Sequence, residues 1–148
     1  MRSIENRLKE LGIELPTPPP VANYLGTKRS GDLLFVSGRK SELIGLVGGD
    51  ISENDAYRAA RQTVITMLSI IKADIGDLDL IISIVKLQGF IRSAPHFTRQ
   101  PYVFDGATEV LIEIFGENGR HARTATGVNQ LPFGAALQFD VIIRLKRL

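Results

Sequence analysis

The stretch LQFDVIIRLK, residues 137–146, alternates without a break. Leu137, Phe139, Val141, Ile143 and Leu145 fall on one side, and Gln138, Asp140, Ile142, Arg144 and Lys146 on the other. An unbroken period of two means a strand with one face in a core and one face in a more polar setting. Such a strand needs a sheet, and the sheet needs a layer over its apolar face.

Two amphipathic segments can supply that layer. The first opens at Ser52, with Asp55 three residues on as a variant capping box. Ala56, Ala60, Val64, Met67, Leu68 and Ile71 then recur at helical spacing to about Lys72, and Gly76 is a C-terminal stop. The second runs from about Pro101 to Phe115, with Ala107, Val110, Leu111, Ile114 and Phe115 facing inward and Pro101 in the first turn.

Strand signals surround these helices. A hairpin is expected from a strand near Val21 to Thr27, a turn at Arg29 to Asp32, and a strand at Leu33 to Ser37. LIISIVKLQGFI is rich in β-branched residues and apolar on both sides at its start, as in a strand covered on both faces. The turn signal LPFG splits HARTATGVNQLPFGAALQFDV into two strand-like halves. Ahead of the sheet, Ser3 to Leu11 reads as a short capped helix, and PTPPP as a stiff connector.

The order is therefore β-β-α-β-α-β-β after a leader at residues 1–20, an α+β fold in one domain spanning 1–148. Two helices packed on one face leave the other face wet or covered by another subunit. The doubly apolar strand near Ile81 to Val85 favours a homo-oligomer.

Composition removes several classes of chemistry. The absence of cysteine excludes disulfides, thiolate catalysis and cysteine-ligated zinc. His96 and His121 are far apart with no spacing motif, so no metal is expected, and no cofactor is implied. The segment GLVGGD lacks the Gly-Lys-Ser/Thr of a phosphate loop and reads as a flexible loop. Ser37 in VSGR has no nucleophile elbow around it, and Asp77 and Asp79 are explained by turn chemistry. A net charge of +2, with no block of like charges, argues against nucleic acid. The loop RSAPHFTRQPY, which mixes arginines with aromatics, reads as a solvated loop. The N-terminus lacks the apolar core of a signal peptide and no run is long enough to span a membrane, so a cytoplasmic protein is expected.

Arg123 stands apart from these. It shares a strand face with Ala125 and Gly127, whose small side chains leave room beside it. A guanidinium is a planar fork suited to a carboxylate. Periodicity leaves two readings open: a ligand clamp, or a structural salt bridge to a residue such as Asp140 or Glu113.

The residues VSG at 36–38, the helical AARQTVITML and ARTATGVNQLPFGAALQFDV resemble the Rid/YjgF family of reactive-intermediate imine deaminases, also described as endoribonuclease L-PSP-like or translation-inhibitor-like. The long leader and GENGRHAR are closest to a branch with an N-terminal extension. The resemblance covers nearly the whole chain. It implies a chorismate-mutase-like fold and a homotrimer with clefts between subunits. It also implies hydrolysis of small 2-imino acids or their enamine tautomers to 2-keto acids and ammonia.

Residue by residue, the resemblance puts the carboxylate-binding arginine on Arg123 and a backbone contribution on Ala125. It puts the first-strand tyrosine on Tyr24 and the glycine after the second strand on Gly38. The acid of active deaminases falls on Gln138, which can hydrogen-bond water but cannot be a general base. Asp140, two residues on, shares that face and is a candidate substitute. The implied activity is then a weak or differently selective deaminase acting on a carboxylate-bearing substrate. The alternative is a non-catalytic trimeric module that binds a small carboxylic or 2-keto acid, and the more remote reading is an endoribonuclease or translation inhibitor.

Overall fold

The computed structural model describes residues 3–147. Three helices, α1 (Ile4–Glu10), α2 (Glu53–Ile75) and α3 (Gln100–Phe115), accompany five strands. The strands are β1 (Thr27–Ser30), β2 (Leu33–Lys40), β3 (Ile81–Arg92), β4 (Ala122–Val128) and β5 (Leu137–Leu145). They form one sheet in the order β1-β2-β5-β3-β4, antiparallel except for the parallel pair β3 and β4.

The alternation in β5 is borne out. Leu137, Phe139, Val141, Ile143 and Leu145 are buried, while Gln138, Asp140 and Ile142 are half-buried and Arg144 is exposed. Both long helices pack on the buried face. Helix α2 starts where the Ser52 hydroxyl accepts from the Asp55 amide at 3.0 Å, and ends at Gly76, whose φ of 88° suits glycine. Its buried stripe is the one expected, from Ala56 to Ile71. Small residues let α2 and α3 approach closely: a Cβ on Gly106 would lie 2.2 Å from the Tyr57 carbonyl oxygen. Gly89 in β3 likewise makes room for the Phe104 ring, which packs against Phe139 with centroids 4.7 Å apart.

Three expectations need correction. The first strand starts at Thr27, not near Val21, and Arg29 and Ser30 belong to it; only Gly31 and Asp32 turn. Gly26 is pressed against Ile70 of α2, and the Thr27 hydroxyl donates to Asp74 at 2.7 Å, so the chain entering β1 is held against the helix.

The second correction concerns β3. It carries register shifts between Ile81 and Ser83 and between Ile84 and Lys86. These bulges change the phase, so that Ile81, Ile84, Leu87 and Ile91 all point at the helices. The strand is apolar on both sides only at its start, where Ile82 is 39% exposed and Val85 half-buried; further along, its second face carries Lys86, Gln88 and Phe90, all half-buried. This open face nevertheless presents hydrocarbon, with Phe35 44% exposed beside Ile142.

The third concerns the glycine-rich loop, which is tied down rather than free. Val47 is fully buried and bridges to Ile51 and Ser93, and the Leu46 amide donates to Asp50.

The leader helix has the expected Ser3 cap and packs beside α3. The Ile4 amide donates to Asp79, and Arg7 Nε donates to the Glu113 carbonyl. Asp77 in turn accepts from the Asp79 amide, so both acids do the turn work expected of them.

Candidate functional site

Strand β4 is a sheet edge, and Arg123 lies in register with Leu87 of β3, which is fully buried under the helices. Arg123 therefore points to the helix side and meets α3. There Asp105 and Thr108, three residues apart, share a helix face. Nη1 of Arg123 donates to Asp105 Oδ1 at 2.9 Å and to Thr108 Oγ1 at 3.1 Å. The salt bridge that the sequence left open thus exists, but its partner is neither Asp140 nor Glu113. Asp140 points to the opposite sheet face, in register with Gln88, and Glu113 pairs with Arg61.

Both bonds use the same guanidinium nitrogen. Among the described residues neither Nε nor Nη2 has a hydrogen-bond partner, and the side chain is 23% exposed. The Nε–Nη2 edge is the one that grips a carboxylate with two parallel bonds. A structural ion pair and a ligand clamp are compatible in this geometry.

The chain of contacts continues past Thr108. Its hydroxyl lies 3.1 Å from His121 Nε2, and His121 Nδ1 lies 2.7 Å from the Gly119 carbonyl oxygen. A carbonyl only accepts, so Nδ1 carries the proton and the neutral ring accepts at Nε2 from Thr108. Burial pushes the His121 pKa down from its ordinary value, and the Arg123 charge adds to that effect. The sequence does not mark Asp105 or Thr108, and His121 lies in coil just before β4. The signal available was the three-residue spacing of the two polar groups on one face of α3.

The remaining residues lie elsewhere. Ala125, in register with Gly89, packs against the core beneath the helices. Gln138 is on the open face, in register with Phe90 and Lys40. Gly38 sits in a bulge of β2 between Val36 and Arg39, where a Cβ would come within 3.0 Å of Gln138 Nε2. Tyr24 precedes β1 and is 52% exposed. Its segment is anchored beside Gly38, because Ser37 donates from its amide to the Gly26 carbonyl and from its hydroxyl to the Leu25 carbonyl. Asp140 shares the open face with Gln138. Burial pushes its carboxyl above the ordinary range, against the pull of Lys86.

Within one chain, then, Gly38 and Gln138 meet near Tyr24, whereas Arg123 and Ala125 lie two strands beyond Gln138 and on the other face of the sheet. No group of three or more His, Cys, Asp or Glu among the described residues is placed to hold a metal ion. No helix among them is long and apolar enough to cross a membrane. The loop arginine Arg99 pairs with Glu53 at 2.6 Å and stacks 4.0 Å from the Tyr102 ring, so that basic–aromatic pair satisfies itself.

A mixed five-stranded sheet with two long helices on one face and an arginine on its parallel edge strand defines the chorismate-mutase-like α+β class. Residues 5–140 match the sequence profile of the family described as "YjgF/chorismate mutase-like, putative endoribonuclease". The chain belongs to that family. It is 40% identical over 146 residues to protein TCP17 of Trypanosoma cruzi, covering 93% of this chain and 91% of that one. A protein of unknown function from Agrobacterium tumefaciens, Atu1372, superposes with a TM-score of 0.88 at 41% identity, covering 97% of this chain and 92% of that one. A Shewanella oneidensis relative superposes with a TM-score of 0.92 at 28% identity, covering 97% of this chain and all of that one.

Proposed function

We propose that the protein hydrolyses small 2-imino acids, or their enamine tautomers, in clefts between the subunits of a homotrimer. The observation that carries this reading is the free Nε–Nη2 edge of Arg123, held in place from behind by Asp105 and Thr108. It favours a carboxylate-bearing ligand. The separation of Arg123 from Gly38 and Gln138 on opposite sheet faces favours a site in which one protomer supplies the arginine and a second supplies the other half.

In this mechanism Arg123 grips the substrate carboxylate. Gln138 holds a water by hydrogen bonding, and the water adds to the imine carbon as the nitrogen takes up a proton. The resulting carbinolamine expels ammonia and leaves the 2-keto acid. Orientation supplies most of the acceleration, since it turns an encounter with water into an intramolecular step. Gln138 cannot take the proton from the water. The raised pKa of Asp140, on the same face, makes it the better candidate for that role.

The test is to generate 2-aminoacrylate in situ and follow its decay with and without the protein. Acceleration that disappears in Arg123→Ala supports the proposal. No acceleration at micromolar protein, together with saturable binding of a 2-keto acid, would leave the binding module, which Gln138 favours. The name endoribonuclease attaches to the family description and to the Shewanella oneidensis relative. The closed Arg99–Tyr102 pair and the low net charge argue against that activity here.

A further inference from the structure

At the other edge of the sheet, the end of β2 and one face of α2 enclose a cavity of about 340 Å³. Arg39 enters it from the strand. Its ladder partner is Phe139, which faces the helices, so the guanidinium is directed toward α2. The Arg39 side chain is only 17% exposed, and its Nε is buried with no hydrogen-bond partner. Its ion pair, from Nη2 to Glu42 Oε1, is long at 3.5 Å and reaches a carboxylate that is 82% exposed. A guanidinium desolvated this far and compensated so little is destabilising, and the cost is recovered only when an anion is supplied.

The rest of the cavity narrows the identity of that anion. Arg58 is engaged by Asp55 at 2.6 Å and Lys40 Nζ lies 5.7 Å from the Phe133 ring centroid, whereas Arg39 has only its long pair with Glu42. Leu43 and Ala59 line the wall with carbon. The Thr63 hydroxyl is spent on the Ala59 carbonyl of its own helix. A small apolar body with one planar anionic group matches this lining.

We propose that the cavity between β2 and α2 binds a small aliphatic monocarboxylate, with Arg39 as the carboxylate partner. The site is separate from the Arg123 edge, from which β5 and β3 divide it.

Butanoate and inorganic phosphate are the probes, titrated into the full-length protein while amide chemical shifts are followed by NMR. Butanoate should saturate shifts clustered at the end of β2 and on α2. Arg39→Gln should weaken that binding at least roughly tenfold, the loss expected for a charged hydrogen-bond partner. Without ligand, Arg39→Gln should raise the thermal midpoint, because a buried, poorly compensated charge is gone. Ala59→Leu should block binding by filling the cavity with Arg39 intact, which guards against a variant that fails to fold. The proposal is overturned by no saturation of the β2 and α2 shifts in the wild type, by those shifts surviving Arg39→Gln, or by phosphate shifting the same amides equally well. It is also overturned if Arg39→Gln dissociates the oligomer in sedimentation, since a carboxylate from a second copy would then be the partner.

Discussion

At the scale of residues, Arg123 is defined by what holds it. Thr108 accepts from Arg123 and donates to a neutral His121, so one hydroxyl ties the arginine to the imidazole. Thr108→Val should therefore loosen the guanidinium and raise KM for a carboxylate substrate, while Thr108→Ser should restore it; steady-state kinetics of the pair decides. His121 also links the site to stability. Its folded pKa lies below the unfolded value near 6.5, so below that pH the unfolded chain binds a proton that the folded chain refuses. Stability should be full above about pH 6.5 and fall as the pH drops toward the folded pKa. His121→Gln should flatten that part of the curve in urea titrations across pH. On the open face, Gln138→Glu should raise turnover, and its pH profile should gain a limb reporting the new carboxylate. An unchanged profile would mean that Gln138 does not face the reacting water.

At the scale of elements, packing distances set the sheet and helices in place. Helices α2 and α3 meet where Gly106 faces the Tyr57 carbonyl, and nearby Tyr57 hydrogen-bonds Glu109. Gly106→Ala places a methyl 2.2 Å from that oxygen and must push the helices apart. The expected loss is about 1–3 kcal/mol, as for other overpacked core positions, measurable as a lower urea midpoint with little change in slope. The shift would carry Asp105 and Thr108 with α3, so binding at Arg123 should weaken in the same variant. The bulges in β3 act in the opposite sense. They let a strand with irregular apolar spacing keep its buried residues on one face, and they leave Lys86 and Gln88 opposite Ile142 and Asp140 on the other.

At the scale of the whole molecule, the proposed division of the site between protomers makes its own prediction. If each working site takes Arg123 from one protomer and the Gly38–Gln138 bulge from another, two inactive variants should complement each other. Arg123→Ala removes the clamp, and Gly38→Leu fills the space beside Gln138. Neither homo-oligomer should turn over substrate, but co-expressed chains should recover part of the activity, because some mixed interfaces pair two intact halves. Recovery absent from purified mixed oligomers would place the whole site within one chain. Light scattering supplies the companion measurement, with three times the chain mass of 16.3 kDa expected.

The β5 alternation, the α2 cap and stripe, and the Gly76 stop were all legible in the sequence, because each depends on residues a few positions apart. So was the singularity of Arg123 among small neighbours. Its partners were not legible: Asp105 and Thr108 come from a helix whose rotation against β4 is set by core packing, including Phe104 against Gly89. The apolar run of β3 misled for a related reason. Bulges change strand phase, and only pairing with β5 reveals them. The start of β1 was decided by Gly26 lying against Ile70, a contact 44 residues apart in number. Local periodicity determined which elements form and, β3 excepted, which faces they bury. Long-range packing decided which face of the sheet Arg123 occupies, which groups hold it, and that Gln138 lies on the other side.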